Sequence, residues 1–342
     1  MPADLTAGIE FNQDKLEDNM WGYHRTVDQK VNIGSAFFQN EWKNEHWGFL
    51  IGGRLDKHNL IDHVIFSPRA NLRYNPTENI NLRFSYSSGF RAPQAFDEDL
   101  HVENVGGNVA MVELADNLKE ERSQSLSASA DIYHRFGAFQ VNFLVEGFYT
   151  KLSDVFALTD GEVVDGILTR TRYNAPGARV MGLTLEGKMA YLTKFQVQAG
   201  VTLQQSHYSE PHVWNKEAPA VKKMMRTPNT YGYFTATYTP IKPLSIALSG
   251  TYTGSMLVPH EPVPGFLEKP ITVNTKDFFD IGLKAAYDFK LYKSMNLQVN
   301  AGIQNIFNAY QNDFDKGADR DSGYIYGPSL PRSFFAGVKI SY

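Results

Sequence analysis

The 342-residue sequence contains no cysteine, so disulfides, metal–thiolate centres and thiol redox chemistry are excluded. It also lacks any apolar run of roughly 18 residues, which a membrane-spanning helix would need. The net charge is only −4 and the charged residues are dispersed, which argues against a nucleic-acid-binding surface. Residues 1–4 (MPAD) show no basic segment followed by an apolar core, so we expect no secretory signal in this chain.

Aromatic residues, in contrast, are abundant. They make up 13% of the chain, with 18 Tyr and 23 Phe, although the mean hydropathy is −0.35. A transmembrane β-barrel combines these two properties, because its strands alternate lipid-facing and lumen-facing side chains and therefore average to a polar hydropathy.

The strongest pattern is a period-two alternation of apolar and polar residues, typical of strands with one apolar face. It predicts that Arg83 faces inward and that its alternating neighbours face outward, namely Ile80, Leu82, Phe84 and Tyr86. The same alternation recurs at 195–204, 280–289 and 296–304. It predicts about fourteen strands, beginning near residues 3, 31, 47, 64, 80, 120, 139, 167, 195, 228, 244, 277, 295 and 332.

Short and long connections alternate between these predicted strands. Short ones are expected at 44–46, 75–79, 136–138, 192–194, 239–243 and 292–294. Long ones are expected at 17–30, 91–119, 209–227, 257–276 and 307–331, with shorter outer loops at 59–63 and 160–166. This is the plan of an outer-membrane barrel, with tight periplasmic turns and extended outer loops. A soluble sandwich or propeller is the alternative, but its strands would be shorter.

Several motifs resemble those of TonB-dependent receptors. Residues 87–93 (SSGFRAP) match a strand end found in that family, and 39–42 (QNEW) with 53–56 (GRLD) resemble a second motif pair. Residues 305–308 (NIFN) resemble a third. Residues 96–101 and 324–332 look like receptors of the Bacteroidetes type. The resemblance covers essentially the whole chain.

The resemblance implies an all-β, antiparallel transmembrane β-barrel in the outer membrane. Residues 1–342 would supply about 14 strands, the C-terminal portion of a barrel of about 22. It implies TonB-energised uptake of a ferric siderophore, with cobalamin or haem as variants. The implied partners are the chelate, outer-membrane lipid and the TonB–ExbB–ExbD complex.

The sequence departs from the family pattern in showing neither a plug domain nor an energy-coupling box. We therefore expect a fragment, a truncated reading frame or one piece of a split receptor, unable to take up substrate alone. Closed as a smaller barrel, it would behave as a leaky pore. The last strand alternates up to a terminal aromatic, which resembles the signal read by the barrel-assembly machinery: Phe334, Ala336, Val338, Ile340 and Tyr342. An ordinary amphipathic final strand is the alternative.

Substrate contacts in the family come from outer loops, and aromatic and arginine side chains suit a flat or anionic chelate. On that basis the candidates are Arg91, Phe96, His101, Tyr208, Trp214, Phe314, Tyr324 and Tyr326. The acidic group Asp97, Glu98 and Asp99, with His101 and Glu103, could hold a hard cation or be a solvated loop. His207 and His212 could bind haem or a metal chelate, or be solvated. Lumen-facing charges are expected to pair with one another or with a plug: Arg54, Arg69, Arg73, Arg83, Glu146, Glu186 and Lys284.

Catalytic motifs are missing from the sequence. We find no nucleophile elbow, phosphate-binding glycine loop or His-Glu-x-x-His zinc motif, so neither an enzyme nor a cofactor is predicted. Two competing functions remain: a passive porin with an inward-folded constriction loop, and an outer-membrane phospholipase. The second would need a serine, a histidine and an orienting partner on adjacent strands, and the sequence shows no such grouping.

Overall fold

The computed structural model describes residues 1–21, 25–93, 109–159, 162–164, 167–292, 294–321, 323–328 and 330–342. These ranges contain twenty-one strands and no α-helix, and therefore no helix that could span a membrane. The strands are β1 (Ala3–Met20), β2 (Arg25–Lys43), β3 (Trp47–His58), β4 (Ile65–Thr77), β5 (Ile80–Arg91), β6 (Val109–Leu114), β7 (Glu121–Phe136), β8 (Phe139–Ser153), β9 (Val155–Leu158), β10 (Glu162–Val164), β11 (Ile167–Ala175), β12 (Ala178–Tyr191), β13 (Phe195–His212), β14 (Val221–Lys223), β15 (Thr230–Ile241), β16 (Leu244–Thr253), β17 (Leu257–His260), β18 (Ile271–Asn274), β19 (Phe278–Tyr292), β20 (Met295–Gln304) and β21 (Ser333–Ser341).

Fourteen of these strands form one antiparallel sheet, which we call the wall. They pair in chain order, and the short β14 pairs with β13 beside this path. Within the described ranges the two ends of the wall, β1 and β21, are not paired with each other. The predicted all-β antiparallel architecture of about fourteen strands is therefore confirmed.

The register separates the wall into an apolar and a polar face. Phe84 lies opposite Leu72 and Ala128, whereas Arg83 lies opposite Arg73 and Ser129. Because side chains alternate along a strand, Phe84 and Arg83 occupy opposite faces, as the sequence predicts. The apolar face is solvent-accessible in the isolated chain, with Phe84 51% exposed. Such a face suits contact with lipid.

The short connections are tight turns, as predicted. At the β2–β3 turn the Asn44 side chain accepts the backbone N–H groups of Trp47 (2.6 Å) and His46 (3.0 Å). Gly137 in the β7–β8 turn has φ +60°, a conformation that glycine adopts without steric cost. The rings of Trp47 and Tyr74 stack 4.2 Å apart at the same end of the wall. Aromatic rings of this kind are typical of an interface girdle.

Two predictions about the outer side of the barrel are wrong. The expected loop at 17–30 is largely strand, because β1 and β2 continue to Met20 and from Arg25. At about 3.3 Å per residue the 18 residues of β1 span about 60 Å, roughly twice the ~30 Å hydrocarbon layer. The expected wall strand near 167 is β11, which belongs to a separate sheet with β6, β9 and β10. The wall strand is β12, which follows Pro176 and Gly177, and Gly177 has φ +124°.

The other long connections also carry structure. Residues 91–119 include β6, which pairs in parallel with β11, and 257–276 include the β17–β18 hairpin. Two hydrophobic clusters are buried in this outer loop layer. Ile61, Ile65 and Ala92 form one. Met256, Val258 and Tyr324 form the other. The outer loops therefore fold into a packed layer, and this layer positions the candidate site.

Candidate functional site

A cavity of about 240 Å³ opens in the outer loop layer. It lies where the ends of β5 and β13 meet the separate sheet of β9 and β11. Six side chains give it its chemical character: Arg91, Phe156, Arg170, Arg172, His212 and Trp214. We call this group the arginine cavity.

The arginine cavity combines positive charge with aromatic surface. The guanidinium carbon of Arg91 lies 4.7 Å from the centre of the Phe156 ring, and that of Arg172 lies 5.6 Å from it. Arg172 is only 4% exposed. Guanidinium groups on an aromatic face attract through the ring quadrupole, and the attraction strengthens where water is excluded. The arrangement therefore suits an anionic ligand that carries flat rings.

Acidic residues from other segments hold the arginines in place. Glu121 at the start of β7 lies 3.8 Å from Arg91 and accepts the backbone N–H of Phe156 at 3.0 Å. Glu261, which follows β17, lies 3.7 Å from Arg170 and accepts a hydrogen bond from Asn215 at 2.9 Å. The cavity is thus built from at least four outer segments.

Asn174 fixes the separate sheet to the wall. Its side-chain nitrogen donates to the carbonyls of Lys119 (3.0 Å) and Asp154 (2.8 Å), and its oxygen accepts the Lys119 N–H at 2.8 Å. One side chain therefore joins three segments. These hydrogen bonds therefore fix the position of β11, the strand that carries Arg170 and Arg172.

The structure brings two of the predicted contact residues, Arg91 and Trp214, into one cavity. Trp214 contributes an indole N–H that is buried without a hydrogen-bond partner in the part of the chain that the structure describes. His212 also lines the cavity, and its ring lies 4.8 Å from that of Tyr208. His207 lies further down β13, opposite Arg179, and does not line the cavity.

Phe156, Arg170 and Arg172 were missed by the sequence analysis. Arg170 and Arg172 alternate with Thr169 and Thr171, which is a strand signal, and the pattern was assigned to the wall. One sequence signal could have identified them as site residues. Two arginines lie on one face of a strand, and no acidic residue is adjacent to them in sequence.

Tyr324 and Tyr326 lie in a second cluster, in the last outer loop. Their hydroxyls donate to Asp313, from Tyr324 at 3.1 Å and from Tyr326 at 2.6 Å. Burial would raise the pKa of Asp313, but the hydrogen bonds from Tyr326 and Tyr324 outweigh burial and hold this pKa below its usual value. Phe314 is half-buried in the same loop and does not line the arginine cavity.

The two clusters are linked through Glu261. Its side chain lies beside Arg170 in the cavity, and its backbone N–H donates to Asp321 of the last loop at 2.9 Å. The predicted contact residues Phe96 and His101, and the acidic group of Asp97, Glu98, Asp99 and Glu103, lie outside the described residues.

The predicted pairing of charges on the polar face of the wall is found for two groups. Arg54 lies 2.9 Å from Glu10 and 2.7 Å from Asp56, and Glu186 lies 2.7 Å from Lys188. Arg69 donates to Gln39, and Arg83 donates to Asn81 at 2.8 Å. Arg73 reaches the carbonyl of Asn44 at 3.4 Å.

Several solved structures of siderophore receptors have a similar fold. A mutant of the ferric enterobactin receptor PfeA from Pseudomonas aeruginosa has 18% identity and a TM-score of 0.67, covering 98% of this chain and 50% of that one. The siderophore receptor PirA from Acinetobacter baumannii has 17% identity and a TM-score of 0.68, covering 98% and 52%. The ferric-catecholate receptor Fiu from E. coli has 16% identity and a TM-score of 0.67, covering 98% and 51%. The chain thus spans about half the length of these receptors.

A family described as TonB dependent receptor-like, beta-barrel matches residues 2–306. A search of curated proteins gave no match. The family consists of outer-membrane receptors and transporters and is not a family of enzymes. The Bacteroidetes-type assignment stays a prediction. The family match extends over most of the sequence, so this chain belongs to the TonB-dependent receptors as part of their β-barrel.

Proposed function

We propose that the protein forms part of the barrel of an outer-membrane receptor for an anionic, aromatic ferric siderophore of the catecholate class. The observation that carries the proposal is the arginine cavity, in which Arg91 and Arg172 contact Phe156 beside Trp214. Two of the structurally similar receptors are described as receptors for ferric enterobactin and a ferric catecholate. Residues 1–342 would be the C-terminal portion of that barrel.

The ligand class follows from the chemistry of the cavity. A ferric catecholate carries net negative charge and presents flat aromatic rings. Guanidinium groups can pair with its oxygens and stack on its rings at the same time. Drug-sized ligands occupy pockets of roughly 300–1,000 Å³, and the cavity measures about 240 Å³. We therefore expect it to hold one aromatic arm of the chelate while other outer loops contact the remainder.

Uptake itself would require the partners that the family uses. These are the TonB–ExbB–ExbD complex for energy and outer-membrane lipid around the wall. Insertion would require the barrel-assembly machinery, acting on β21 (Ser333–Ser341) and the terminal Tyr342 that follows it. A passive porin remains the alternative. The cavity favours a receptor, because a general pore gains nothing from a buried arginine such as Arg172.

Haem is a second candidate ligand, favoured by one observation. His212 lines the arginine cavity, and its ring contacts that of Tyr208. Both side chains are known types of haem-iron ligand. The variant His212→Gln distinguishes the two candidate ligands. A catecholate site should still bind its ligand without the imidazole, whereas a haem site that uses His212 should not.

The test compares ferric catecholate binding by the protein and by Arg91→Gln and Arg172→Gln, measured as quenching of tryptophan fluorescence in detergent. A charge-assisted hydrogen bond contributes roughly 1.5–3 kcal/mol, so each variant should bind roughly 10- to 150-fold more weakly. Arg135→Gln is the matched control, because it removes the same charge at the turn end of β7.

A neutral ferric trihydroxamate supplies the second comparison and should bind weakly to all forms. The proposal is wrong if Arg135→Gln weakens binding as much as Arg172→Gln, or if the two chelates bind alike. Growth of a receptor-deficient strain on the ferric catecholate, lost when TonB is deleted, would support uptake. Steady single-channel conductance without such growth would favour the porin.

A further inference from the structure

A buried histidine and two buried aspartates meet in the outer loop layer, and none of them lines the arginine cavity. His260 ends β17, and Asp315 and Asp321 belong to the last loop. The Nε2 atom of His260 lies 2.8 Å from Oδ2 of Asp315, and one ligand atom from each of the three residues lies within 4.8 Å of the others. The side chains of His260 and Asp315 are only 7% and 3% exposed.

The two aspartates of this group have different neighbours. The Nε2 atom of His260 lies beside the Asp315 carboxylate, and the Arg226 guanidinium interacts electrostatically with Asp321. Asp321 instead accepts the backbone N–H groups of Glu261 (2.9 Å) and Gly323 (2.8 Å). The guanidinium of Arg226 donates to backbone carbonyls of the last loop, not to the carboxylates. Hydrogen bonds therefore hold both aspartate carboxylates beside the His260 imidazole.

We propose that His260, Asp315 and Asp321 form a binding site for a divalent first-row transition metal ion, with Zn²⁺ as the representative. The ion would bind one imidazole nitrogen of His260 and one carboxylate oxygen from each aspartate. An imidazole nitrogen with two carboxylates suits Zn²⁺, which takes nitrogen and oxygen ligands in a small coordination shell. Ca²⁺ and Mg²⁺ fit poorly, because they prefer all-oxygen shells of six or more ligands.

The surroundings hold these ligands in position. The ring of Tyr324 stacks on that of His260 with centroids 3.8 Å apart and planes 6° from parallel, and its hydroxyl donates to Asp313. The backbone N–H of Asp321 donates to Asp315 at 3.2 Å. Contacts of this kind around metal ligands fix ring and carboxylate orientation and raise affinity. Binding requires a neutral imidazole, so the ion would replace any proton shared between His260 and Asp315.

The site would join β17 to the last outer loop. These segments are distant in sequence, yet both contact the region around Glu261, the partner of Arg170. A bound ion would therefore stabilise the segment that carries Glu261, which pairs with Arg170 of the arginine cavity. The inference does not depend on which ligand that cavity binds.

The experiment titrates metal-free protein in detergent with Zn²⁺ by calorimetry. We expect one saturable site per chain that excess Ca²⁺ does not block. His260→Gln and Asp321→Asn should each weaken binding about tenfold or more. Asp319→Asn is the control for charge in the same loop, and His134→Gln is the control for an exposed imidazole; both should bind as the unchanged protein does.

X-ray absorption on the unchanged protein gives a readout that no variant's folding can affect. We expect one imidazole and carboxylate oxygens at about 2.0–2.2 Å from the zinc. The proposal is overturned if the unchanged protein shows no saturable Zn²⁺ binding, or if His134→Gln removes the site and His260→Gln does not.

Discussion

The wall and the outer loop layer are stabilised in opposite ways. In the wall, large apolar side chains such as Phe84 lie on the surface, while the polar face carries pairs such as Arg54 with Asp56. In the outer layer, apolar side chains are buried as in a soluble protein, with Val258 fully buried and Tyr324 4% exposed. Within the described residues, many large side chains on the apolar face of the wall are exposed. The outer layer carries its own cores.

This difference between the two regions explains why both candidate binding sites lie in the outer layer. Buried charges are held where protein excludes water, and in the described chain the arginine cavity and the His260 cluster both lie in the outer layer. The wall provides a rigid frame through continuous strand pairing. The outer layer can therefore carry a site whose loops differ in sequence without disturbing the frame.

The largest effect should come from the core of the outer layer. Met256 packs with Val258 and Tyr324, and Met256→Ala removes buried apolar surface and leaves a cavity. Such a change costs roughly 2–5 kcal/mol. We expect protease cleavage within 254–277 and 305–332, while the heat-modifiable electrophoretic mobility of the folded wall is retained.

Val213→Ala is the matched control in this layer, because Val213 is exposed and should change stability by less than about 0.5 kcal/mol. If Met256→Ala unfolds wall and loops together, the two regions are one cooperative unit and the comparison fails.

A smaller effect should distinguish the two faces of the wall. Ala130 lies opposite Leu82 and Val145 on the apolar face, and Ser129 lies opposite Arg83 and Glu146 on the polar face. Ala130→Arg places a charge in lipid, which costs roughly 2–4 kcal/mol near the bilayer midplane. Ser129→Arg should cost less than about 1 kcal/mol, since Glu146 can pair with the new side chain. Urea unfolding in lipid vesicles measures both.

If the two neighbouring variants lose equal free energy of unfolding, one face of the wall does not lie in lipid while the other faces the lumen. If Ser129→Arg loses more free energy of unfolding than Ala130→Arg, the polar face is the one that lies in lipid.

The sequence predicted the wall well, because alternation is a local property of each strand. The opposite faces of Arg83 and Phe84 follow from it directly. It assigned β11 to the wall because alternation does not say which sheet a strand joins. The parallel partner of β11 is β6, which is distant in the sequence. Only the folded chain shows that pairing.

The candidate site could be predicted only in part, because some of its residues also depend on long-range strand pairing. Arg91 and Trp214 could be named because they lie at strand ends in long loops. Arg170 and Arg172 depend on where β11 docks, which the Asn174 junction decides. Tyr324 and Tyr326 were named as contacts for a chelate. In the structure both hydroxyls bind Asp313 and both rings belong to a buried cluster.

The smallest expected effect concerns the pH at which the outer layer opens. Burial, with the hydrogen bond to Asp313, raises the pKa of Tyr324 to about 12 from 10.0. The same causes raise the pKa of Tyr326. A raised pKa means that the folded layer favours the neutral phenols. The contribution of Tyr324 to stability is therefore complete below about pH 10 and is lost as the pH rises through about 12.

Tyrosinate absorbance and protease cleavage, followed together on raising the pH, test this window in the outer layer. Asp313→Asn removes the carboxylate that opposes ionisation of both phenols, so the Tyr324 pKa should fall from about 12 toward 10.0 and cleavage should begin at lower pH. Tyr324→Phe is the matched variant, because it keeps the ring on His260 while deleting one phenol from the titration.

Since the tyrosine cluster belongs to the outer layer, the strand content of the wall should persist when cleavage begins. If the titration of Asp313→Asn superimposes on that of the unchanged protein, the carboxylate does not set the window. If strand content is lost at the same pH as cleavage begins, the outer layer does not open independently of the wall.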